Sequence, residues 1–431
     1  MSINHFYLYA KYVYVKILIV TFWSDINFSN EKFFVFDEKG ERTSVEQEGL
    51  NETLAEAEFL KDNNDVKIVA FLPTTLSRIL SDPPPDYNQL VQRLEAEVKN
   101  RVKVDYVHIL PSEGTIGNHV HHEGLGNFHF LFYLKLYEDL LKESPDAILL
   151  DLSRTFSYYQ NYTISATQLA LDDYVITTNR KNSILIQYAR IDNTLVPLFI
   201  KDFKKVRIYD YLTTNIKLSK EKGFSTQGKS EIYGIGKSLE LGFPLILIYL
   251  LKNANKLVPP DEFEKMIINS MKVNKGEKYE IVTNFEAHET APYYFIGYHF
   301  VNSYKKIAEE SEISLESLEK LLELFEDPQR KLIVREIEIL KDFSKLMKDE
   351  EEHLLDYLIR VGNARVIDWM KGKVSEDEKE ECDVNEDEMY SHAGLGRKFT
   401  KIMVKEGKIV VKYAENCIDE ILSWVKNIGK E

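Results

Sequence analysis

The sequence predicts a doubly wound α/β domain with a parallel sheet, followed by an all-α domain. Three observations lead to this prediction. The chain has 431 residues, which is too many for one ordinary domain. Short β-branched runs alternate with helical segments as far as about Lys205. From Lys229 onward, apolar residues recur mainly at helical spacing. We therefore place the α/β domain at 13–205, a connector at 206–228 and the helical domain at 229–431.

In the first domain, runs rich in Val and Ile predict strands, and 3.6-residue periodicity predicts the helices that follow them. The predicted strands are Val13–Phe22, a hairpin at Phe33–Glu41, Val66–Leu72, Val102–Leu110, Ala147–Leu152, Ser183–Ala189 and Leu195–Phe199. The predicted helices are Leu50–Leu60, Thr74–Leu80, Tyr87–Val98, Phe128–Lys142 and Tyr158–Ala170. Thr74 is expected to cap its helix. A polar loop is expected to extend to about Gly126.

In the second domain, helical periodicity predicts seven helices. They are Lys229–Lys252, Pro260–Met271, Ala291–Glu309, Ser314–Phe325, Gln329–Lys348, Glu351–Met370 and Ala414–Asn427. The acidic stretch Ser375–Glu388 interrupts this pattern, and its charge density predicts a solvated loop. Helical or mixed structure is expected to resume at Met389.

The composition excludes several classes of protein. Because 44% of the residues are hydrophobic and 29% are charged, wholesale disorder and collagen-like repeats are excluded. The longest apolar stretch, Leu241–Leu251, is too short to span a bilayer. A net charge of −15 argues against a protein that coats nucleic acid, so no stable DNA binding is expected. Cys382 and Cys417 are too few for a disulfide framework or a four-thiolate zinc site, which indicates a reducing cytoplasm.

Polar or small side chains follow four of the predicted strands, where an open parallel sheet binds its ligands. The candidate ligand-binding residues are Trp23, Ser24, Thr74, Thr75, Glu113, Gly114, Ser153, Arg154 and Thr155. Arg154 is the only cation among them and is suited to a phosphate. The alternative is that these are ordinary loop and cap residues. No GxGxxG or Walker motif is present, which disfavours an ordinary dinucleotide or nucleoside triphosphate site.

Three segments of the first domain resemble a known sensor family. ILIVTFWSD on the first strand, FLPTTLS after the second and LLDLSRTFSYY after the Ala147 strand are similar to the CARF domain of type III CRISPR accessory ribonucleases. The resemblance implies a Rossmann-like domain that binds a cyclic oligoadenylate. The last motif of that family usually runs Asp, any residue, Thr, His, Gly. Here Ser153 replaces the Thr, while Arg154 and Thr155 replace the His and the Gly.

The densest group of metal-ligand residue types is His119, His121, His122 and His129, with Glu123. The HVHHEG segment does not match HExxH, and it lacks the last His of the HxHxDH pattern of metal hydrolases. A metal-dependent hydrolase therefore remains an alternative function. The other interpretations are histidines that merely decorate the surface, or a loop, Glu113–Gly126, that closes over a ligand as a lid. No metal is expected.

The segment YSHAGLGRKF near the end of the chain resembles part of the active site of HEPN nucleases. In that family, an Arg precedes a His by four to six residues, commonly within RN…HAG. His392 matches the HAG part, whereas Asp387 stands where the Arg is expected. The resemblance implies that His392 is the general acid or base acting on RNA without a metal. It also implies that an arginine stabilises charge on the phosphate.

Three further residues are candidates to complete this site. Arg397 lies five residues after His392, while Arg360 and Asn363 lie on the preceding predicted helix. Basic residues at Arg397, Lys398, Lys401, Lys405, Lys408 and Lys412 either line an RNA groove or form the solvated face of ordinary elements. A degenerate nuclease with a structural His392 is the alternative.

Taken together, the two resemblances imply a cytoplasmic CRISPR ribonuclease. The CARF-like domain would bind a cyclic oligoadenylate as activator, and the helical domain would cut single-stranded RNA. Two or more copies of the chain are expected to assemble, because the family brings paired His and Arg residues to one groove. No cofactor and no membrane association are expected. The alternative is a cyclic-oligoadenylate sensor with a degenerate nuclease domain that acts through partners.

Overall fold

A computed structural model provides the structure of the chain. It describes residues 15–28, 31–36, 42–49, 51–61, 64–178, 184–191, 194–202, 206–221, 224, 226–310, 312–342, 351–361, 382 and 384–429. Within these ranges, every helix is too short or too polar to cross a membrane.

The chain divides into two compact units that are interleaved in sequence. The first comprises residues 1–206, 217–225 and 259–295, and the second comprises residues 207–216, 226–258 and 296–431. This differs from the single connector expected at 206–228. Residues 259–295 join the first unit because a strand at Tyr279–Thr283 pairs with a strand at His119–His122. The functional division into a sensing and a nuclease domain stays a prediction.

The first unit is built around a six-stranded sheet with helices connecting its strands. Its elements to residue 110 are β1 (Lys16–Phe22), β2 (Glu31–Phe36), β3 (Arg42–Gly49), α1 (Glu52–Lys61), β4 (Asp65–Pro73), α2 (Tyr87–Arg101) and β5 (Tyr106–Leu110). The later elements to residue 202 are β6 (Glu113–Ile116), β7 (His119–His122), α3 (Leu125–Glu143), β8 (Ala147–Asp151), α4 (Ser157–Thr178), β9 (Ile184–Ile191) and β10 (Thr194–Asp202). A 3₁₀ helix, Thr74–Ile79, follows β4.

The strand order of the large sheet is β10-β9-β8-β1-β4-β5. β1 pairs in parallel with β4 on one side and β8 on the other, so the order reverses next to β1. Among the described strands of this sheet, only the pairing of β10 with β9 is antiparallel. The prediction of a doubly wound parallel sheet is therefore confirmed, with one antiparallel edge strand added. β1 is apolar along its length because both of its faces are buried.

Aromatic side chains of α3 form much of the core against this sheet. Phe71 on β4 stacks on Phe132 with ring centroids 4.0 Å apart, and Phe22 on β1 contacts Phe128 edge to face at 5.2 Å. Tyr159 on α4 completes this group at 4.7 Å from Phe128. The helices are thus fixed by their aromatic faces, and the loops after β1 and β8 extend from a rigid base.

The segment expected to be a polar lid loop is a β-hairpin instead. β6 and β7 pair with each other, and β7 pairs in parallel with β12 (Tyr279–Thr283), which pairs with β11 (Met271–Lys275). These strands form a second sheet in the order β11-β12-β7-β6. The lid interpretation of Glu113–Gly126 is wrong for the part between Glu113 and His122, because its backbone hydrogen bonds are used in this sheet.

Gly126, at the start of α3, makes a backbone contact that only glycine permits. A Cβ atom on Gly126 would lie 2.0 Å from the carbonyl oxygen of Ala287, a backbone atom that cannot move aside locally. We expect Gly126→Ala to lower the free energy of unfolding by about 1–3 kcal/mol, the cost of overpacking. Thermal unfolding followed by circular dichroism measures this effect.

Gly276 provides the matched control in the same unit, since a Cβ atom there has no neighbour within 4 Å. Gly276→Ala should unfold at the temperature of the parent protein. Equal melting temperatures for the two variants would contradict the close approach of Gly126 to Ala287.

The second unit is mainly helical. Its helices include α5 (Tyr209–Leu212), α6 (Lys229–Leu241), α7 (Pro244–Asn253), α10 (Leu315–Lys320), α11 (Gln329–Asp342), α12 (Leu354–Val361), α13 (Glu386–Ser391) and α14 (Ile418–Asn427). α8 (Pro260–Ser270) belongs to the first unit, and α9 (Ala291–Ala308) begins there and ends in the second unit. A small sheet is formed by β13 (Glu352–His353), β14 (Thr400–Lys405) and β15 (Lys408–Tyr413). The mainly helical character of this region is confirmed, but the domain is not all-α: the small sheet was not predicted, and β13 occupies the start of the helix predicted at Glu351–Met370.

Two sequence expectations for this unit need correction. The helix predicted at Lys229–Lys252 is broken, because Gly242 adopts a left-handed conformation with φ of 78° and Pro244 begins a new helix. Cys382 and Cys417, which we expected to be thiols, form a disulfide that closes a loop across a sequence separation of 35 residues. Their Cα atoms lie 5.3 Å apart, a normal separation for such a bond.

Candidate functional site

His392 lies immediately after the C-terminus of α13, where the chain reverses direction. Its backbone N–H donates to the carbonyl of Glu388 at 3.1 Å, and Gly394 N–H donates to the carbonyl of Met389 at 2.9 Å. Ala393 and Gly394 both have positive φ, at 53° and 77°. The Ala-Gly pair therefore ends the helix with a left-handed turn and fixes the position of the imidazole.

The imidazole of His392 lies between an acidic side chain and a basic side chain. Its Nδ1 lies 3.4 Å from Oε1 of Glu336 and 3.4 Å from Nη2 of Arg397. A protonated Nδ1 donates to Glu336, whereas an unprotonated Nδ1 accepts from Arg397, so the tautomer selects one partner. Nε2 makes no hydrogen bond to any residue in the described ranges. This nitrogen is therefore the one that can exchange a proton with a bound molecule.

Glu336, on α11, is a buried carboxylate surrounded by cationic groups. Arg335 donates to its Oε1 from Nε at 3.1 Å and from Nη2 at 2.5 Å. Burial raises the pKa of Glu336, but hydrogen bonds from His392 and Arg335 outweigh burial and hold the pKa below its usual value. Glu336 is therefore ionised at neutral pH and can orient the imidazole.

Arg397 has an unused donor. Its backbone N–H donates to Oε1 of Glu388 at 2.6 Å, and its carbonyl accepts from Leu355 N–H at 2.9 Å. The Nε atom of its side chain is buried and has no partner among the residues that the structure describes. Burial lowers the pKa of this guanidinium, while Glu336 and Glu388 raise it. A cation in this situation is suited to an incoming anion such as a phosphate.

A second group of candidate residues lies at the carboxyl ends of the parallel strands. Trp23 is completely buried, and its Nε1–H donates to Thr53 Oγ1 at 3.1 Å. Thr53 in turn donates to the buried carboxylate of Asp151. Burial raises the pKa of Asp151, and hydrogen bonds from Ser153 and Thr53 act against this increase. These bonds join the ends of β1 and β8.

Hydroxyl groups fix the loop after β8 to the end of β1. Thr155 Oγ1 donates to the carbonyl of Phe22 at 2.9 Å, and Phe156 N–H donates to Ser24 Oγ at 2.8 Å. Ser24 N–H also donates to the carbonyl of Arg154 at 3.1 Å. Because Ser24 and Thr155 are buried and used in this way, their observed role is to shape the loop that carries Arg154.

Arg154 is paired in this loop. Its Nε donates to Oε2 of Glu52 at 2.8 Å, and its guanidinium lies 5.1 Å from the ring centroid of Phe28. The side chain of Arg154 is 17% exposed. A phosphate bound here would compete with Glu52 for the guanidinium.

The histidine segment is part of a buried hydrogen-bond network. His121 Nδ1 lies 2.7 Å from Oε1 of Glu123, which also accepts from Thr74 Oγ1 at 2.6 Å. Burial raises the pKa of Glu123, and hydrogen bonds, first from His121, oppose this increase. Ser112 Oγ accepts from Thr75 N–H at 3.1 Å. Thr74 therefore does not cap the 3₁₀ helix: it is the first residue of that helix, Pro73 occupies the N-cap position, and the Thr74 hydroxyl is used in this network.

The chain matches two protein-family models, and the matched ranges contain the residues described above. Residues 18–192 match the model described as CRISPR system endoribonuclease Csx1, CARF domain, and residues 326–415 match the model described as CRISPR system endoribonuclease Csx1, HEPN domain. Together the two matches cover more than half of the chain. The chain belongs to the CARF–HEPN family of CRISPR accessory ribonucleases. No curated protein matches it.

The HEPN match includes all four of the side chains that converge in the second unit. Sequence reasoning identified His392 and Arg397, which the structure brings together, but it missed Arg335 and Glu336. One signal was available, because Glu336 is a carboxylate on the buried face of α11, next to Ile333 and Ile337. The backbone of Arg360 lies in α12, but its side chain and Asn363 are outside the described residues.

The basic residues proposed to line an RNA groove on the β14–β15 hairpin of this CARF–HEPN protein are largely paired with acids. Lys401 and Lys412 pair with Glu351, and Lys405 pairs with Glu312. These pairs favour the interpretation of the hairpin as an ordinary charged surface.

The CARF match includes the strand ends, where the candidates differ in exposure. Trp23, Ser24, Thr74 and Thr75 are buried, and contact of these side chains with a ligand stays a prediction. Oε1 of Glu113 accepts a hydrogen bond from Gly124 N–H at 2.7 Å. Gly114, the next residue of β6, has a φ of 133°. Phe156 and Tyr158 lie in the same motif after β8 but are not among the candidate ligand-binding residues. They are 44% and 47% exposed, and their rings stack at 6.0 Å.

The histidines of this CARF region do not form a metal site in the described ranges. No group of three His, Cys, Asp or Glu side chains is arranged there to hold an ion. His129, which we grouped with the others, lies on α3, where burial lowers its pKa to about 4. Its Nε2 lies 3.1 Å from Ser165 Oγ.

Proposed function

We propose that the chain is a CRISPR-associated endoribonuclease that cuts single-stranded RNA without a metal and is activated by a cyclic oligoadenylate. The observation that carries this proposal is the position of His392. Its Nδ1 is within 3.4 Å of both Glu336 and Arg397, while Nε2 remains available. An oriented imidazole beside an arginine is the minimum needed for proton transfer and charge stabilisation at a phosphodiester.

The chemistry is an attack of the RNA 2′-hydroxyl on the adjacent phosphorus. A bond forms between the 2′-oxygen and phosphorus, and the bond from phosphorus to the 5′-oxygen breaks. Nε2 of His392 accepts the proton of the 2′-hydroxyl or donates one to the departing 5′-oxygen. Arg397 stabilises the negative charge that builds up on the phosphoryl oxygens. Because the two proton transfers occur on opposite sides of the phosphorus, we propose that two copies of the chain each supply one His392.

The proposed activator site is the edge formed by the loops after β1, β4 and β8. A cyclic oligoadenylate carries one negative phosphate per nucleotide, and Arg154 supplies a cation at this edge. The exposed rings of Phe156 and Tyr158 supply apolar faces of the kind on which adenine stacks. A homodimer would present these groups twice, in keeping with the symmetry of such a ring.

One set of RNA-cleavage reactions tests the proposed function. Labelled single-stranded RNA is mixed with the full chain, with and without cyclic tetra-adenylate or cyclic hexa-adenylate, and again in the presence of EDTA. We expect cleavage that depends on the activator and persists in EDTA. Loss of cleavage in EDTA would favour the metal-dependent hydrolase. Binding of the activator without any cleavage would favour the sensor with a degenerate nuclease domain.

Arg154→Ala tests the activator site separately. Removing a charge-assisted hydrogen bond to a phosphate should raise the activator concentration for half-maximal cleavage about tenfold or more. Cleavage rates over a titration with cyclic oligoadenylate measure this shift. The matched control is Arg101→Ala, an exposed arginine that pairs with Glu97 in the same unit. A titration curve for Arg154→Ala that coincides with that of Arg101→Ala would contradict the assignment.

A further inference from the structure

A groove with an apolar wall and a cationic rim adjoins His392. Its volume is about 500 Å³. The wall is formed by Leu241, Pro328, Leu332 and Tyr390, and the rim is formed by Lys331 and Arg335. All of these residues belong to the second unit. The rim is accessible, since the side chains of Lys331 and Arg335 are 77% and 53% exposed.

The groove is joined directly to the candidate active site. Tyr390 lies on α13, two residues before His392, which follows the end of that helix. Arg335 Nη2 donates to the carbonyl of Ser391 at 2.7 Å. Arg335 is also the residue that binds the Glu336 carboxylate. Arg335 therefore belongs both to the groove and to the hydrogen-bonded group around His392.

The side chains of the groove match the chemistry of a nucleotide. An aromatic and aliphatic wall suits the face of a base, with a modest preference among bases that follows their stacking strength, and exposed cations suit the phosphates on either side of it. The ring of Tyr390 is held in place, because its centroid lies 5.7 Å from that of Phe243 and 6.4 Å from that of Trp424. A rigid ring offers a stacking surface that loses little conformational entropy when a base binds.

We infer that this groove binds the base of the RNA nucleotide next to the scissile phosphate. Tyr390 stacks on that base, while Arg335 and Lys331 contact the flanking phosphates. The inference rests on the proposed function, since it assigns the position of the substrate at the same site. It makes Tyr390 a residue that determines affinity and base preference, and it gives Arg335 a contact with RNA in addition to its contact with Glu336.

The test uses the full chain with a labelled single-stranded RNA of mixed sequence, at saturating activator. We expect Tyr390→Ala to raise KM about tenfold and to flatten the base preference beside the cut, as read by sequencing the products. Tyr390→Phe keeps the ring and should retain both properties. Lys331→Glu, which changes only an exposed side chain, should raise KM and weaken its dependence on salt. Lys320→Ala is the matched control, because this lysine is exposed and pairs with Glu310 at another place in the same unit.

Binding of the same RNA is measured by fluorescence anisotropy in the His392→Ala background. If RNA binding depends on Tyr390 and Lys331 but no variant or parent protein cuts RNA, the proposed cleavage is wrong, while binding of an RNA base in the groove stands. If cleavage occurs with the same KM and base preference in Tyr390→Ala and Lys331→Glu as in Lys320→Ala, the groove assignment is wrong and the proposed function stands. The molar mass of each variant in solution is also measured. If Tyr390→Ala or Lys331→Glu is a monomer while the parent protein is an oligomer, the groove assignment is wrong, since the groove would then be a contact between chains.

Discussion

His392→Ala should lower the rate of RNA cleavage by a factor of order 10² or more, the usual contribution of a general acid or base. The reason is that Nε2 of His392 is the proton-transferring atom in the proposed reaction. The melting temperature should change little, because the imidazole contacts Glu336 and Arg397 only at 3.4 Å. Single-turnover cleavage at saturating RNA and activator measures the effect.

Two further variants make this test specific. His392→Gln keeps a polar side chain of similar size but cannot transfer protons near neutral pH, so it should be as inactive as His392→Ala. His299→Ala, on α9 of the same unit, should cut RNA at the parental rate. Parental activity in His392→Ala would remove the residue on which the proposed mechanism depends.

Arg397→Ala should lower kcat by a factor of order 10² to 10³, the loss measured when one donor to a developing negative charge is removed. The structure favours this arginine because its Nε is buried without a partner in the described ranges and its guanidinium lies beside His392. Its backbone hydrogen bonds to Glu388 and Leu355 do not involve the side chain, so the local turn should persist in the variant.

Comparison with two other arginines decides which of them holds the phosphate. Arg397→Lys should recover only part of the lost activity, since an ammonium group cannot reproduce the planar fork of a guanidinium. Arg335→Ala should raise KM through the groove and also disturb Glu336, whereas Arg360→Ala provides the comparison on α12. If kcat in Arg397→Ala equals that of the parent while Arg360→Ala is inactive, the phosphate is bound from α12 and not by Arg397.

The large sheet was predictable from sequence because its strands are apolar along their length. β1, β4 and β8 contain continuous buried runs, and strands of this kind separated by helices indicate a parallel sheet, although the order of the strands was not predicted. The hairpins β6–β7 and β11–β12 were not predictable in the same way. Their strands have only four or five residues each, and the pairing of His119 with Tyr279 joins positions far apart in sequence.

The candidate site was only half predictable for a related reason. His392 and Arg397 are five residues apart, so the spacing within one short motif brings them together. Arg335 and Glu336 lie more than fifty residues earlier, on a helix whose sequence gives no sign of what its buried face contacts. Local patterns identify which side chain can do chemistry, whereas its partners are set by tertiary packing.

The interleaved order of the two units limits how the protein can be dissected. The chain passes from one unit to the other at five peptide bonds, after residues 206, 216, 225, 258 and 295. A fragment that ends at the predicted connector would contain β7 without β12, the strand that hydrogen-bonds to it. The complementary fragment would carry 259–295 as surplus chain with its own apolar surface exposed. Truncation is therefore an unsuitable way to isolate either unit, and point substitutions in the whole 431-residue chain are the appropriate tool.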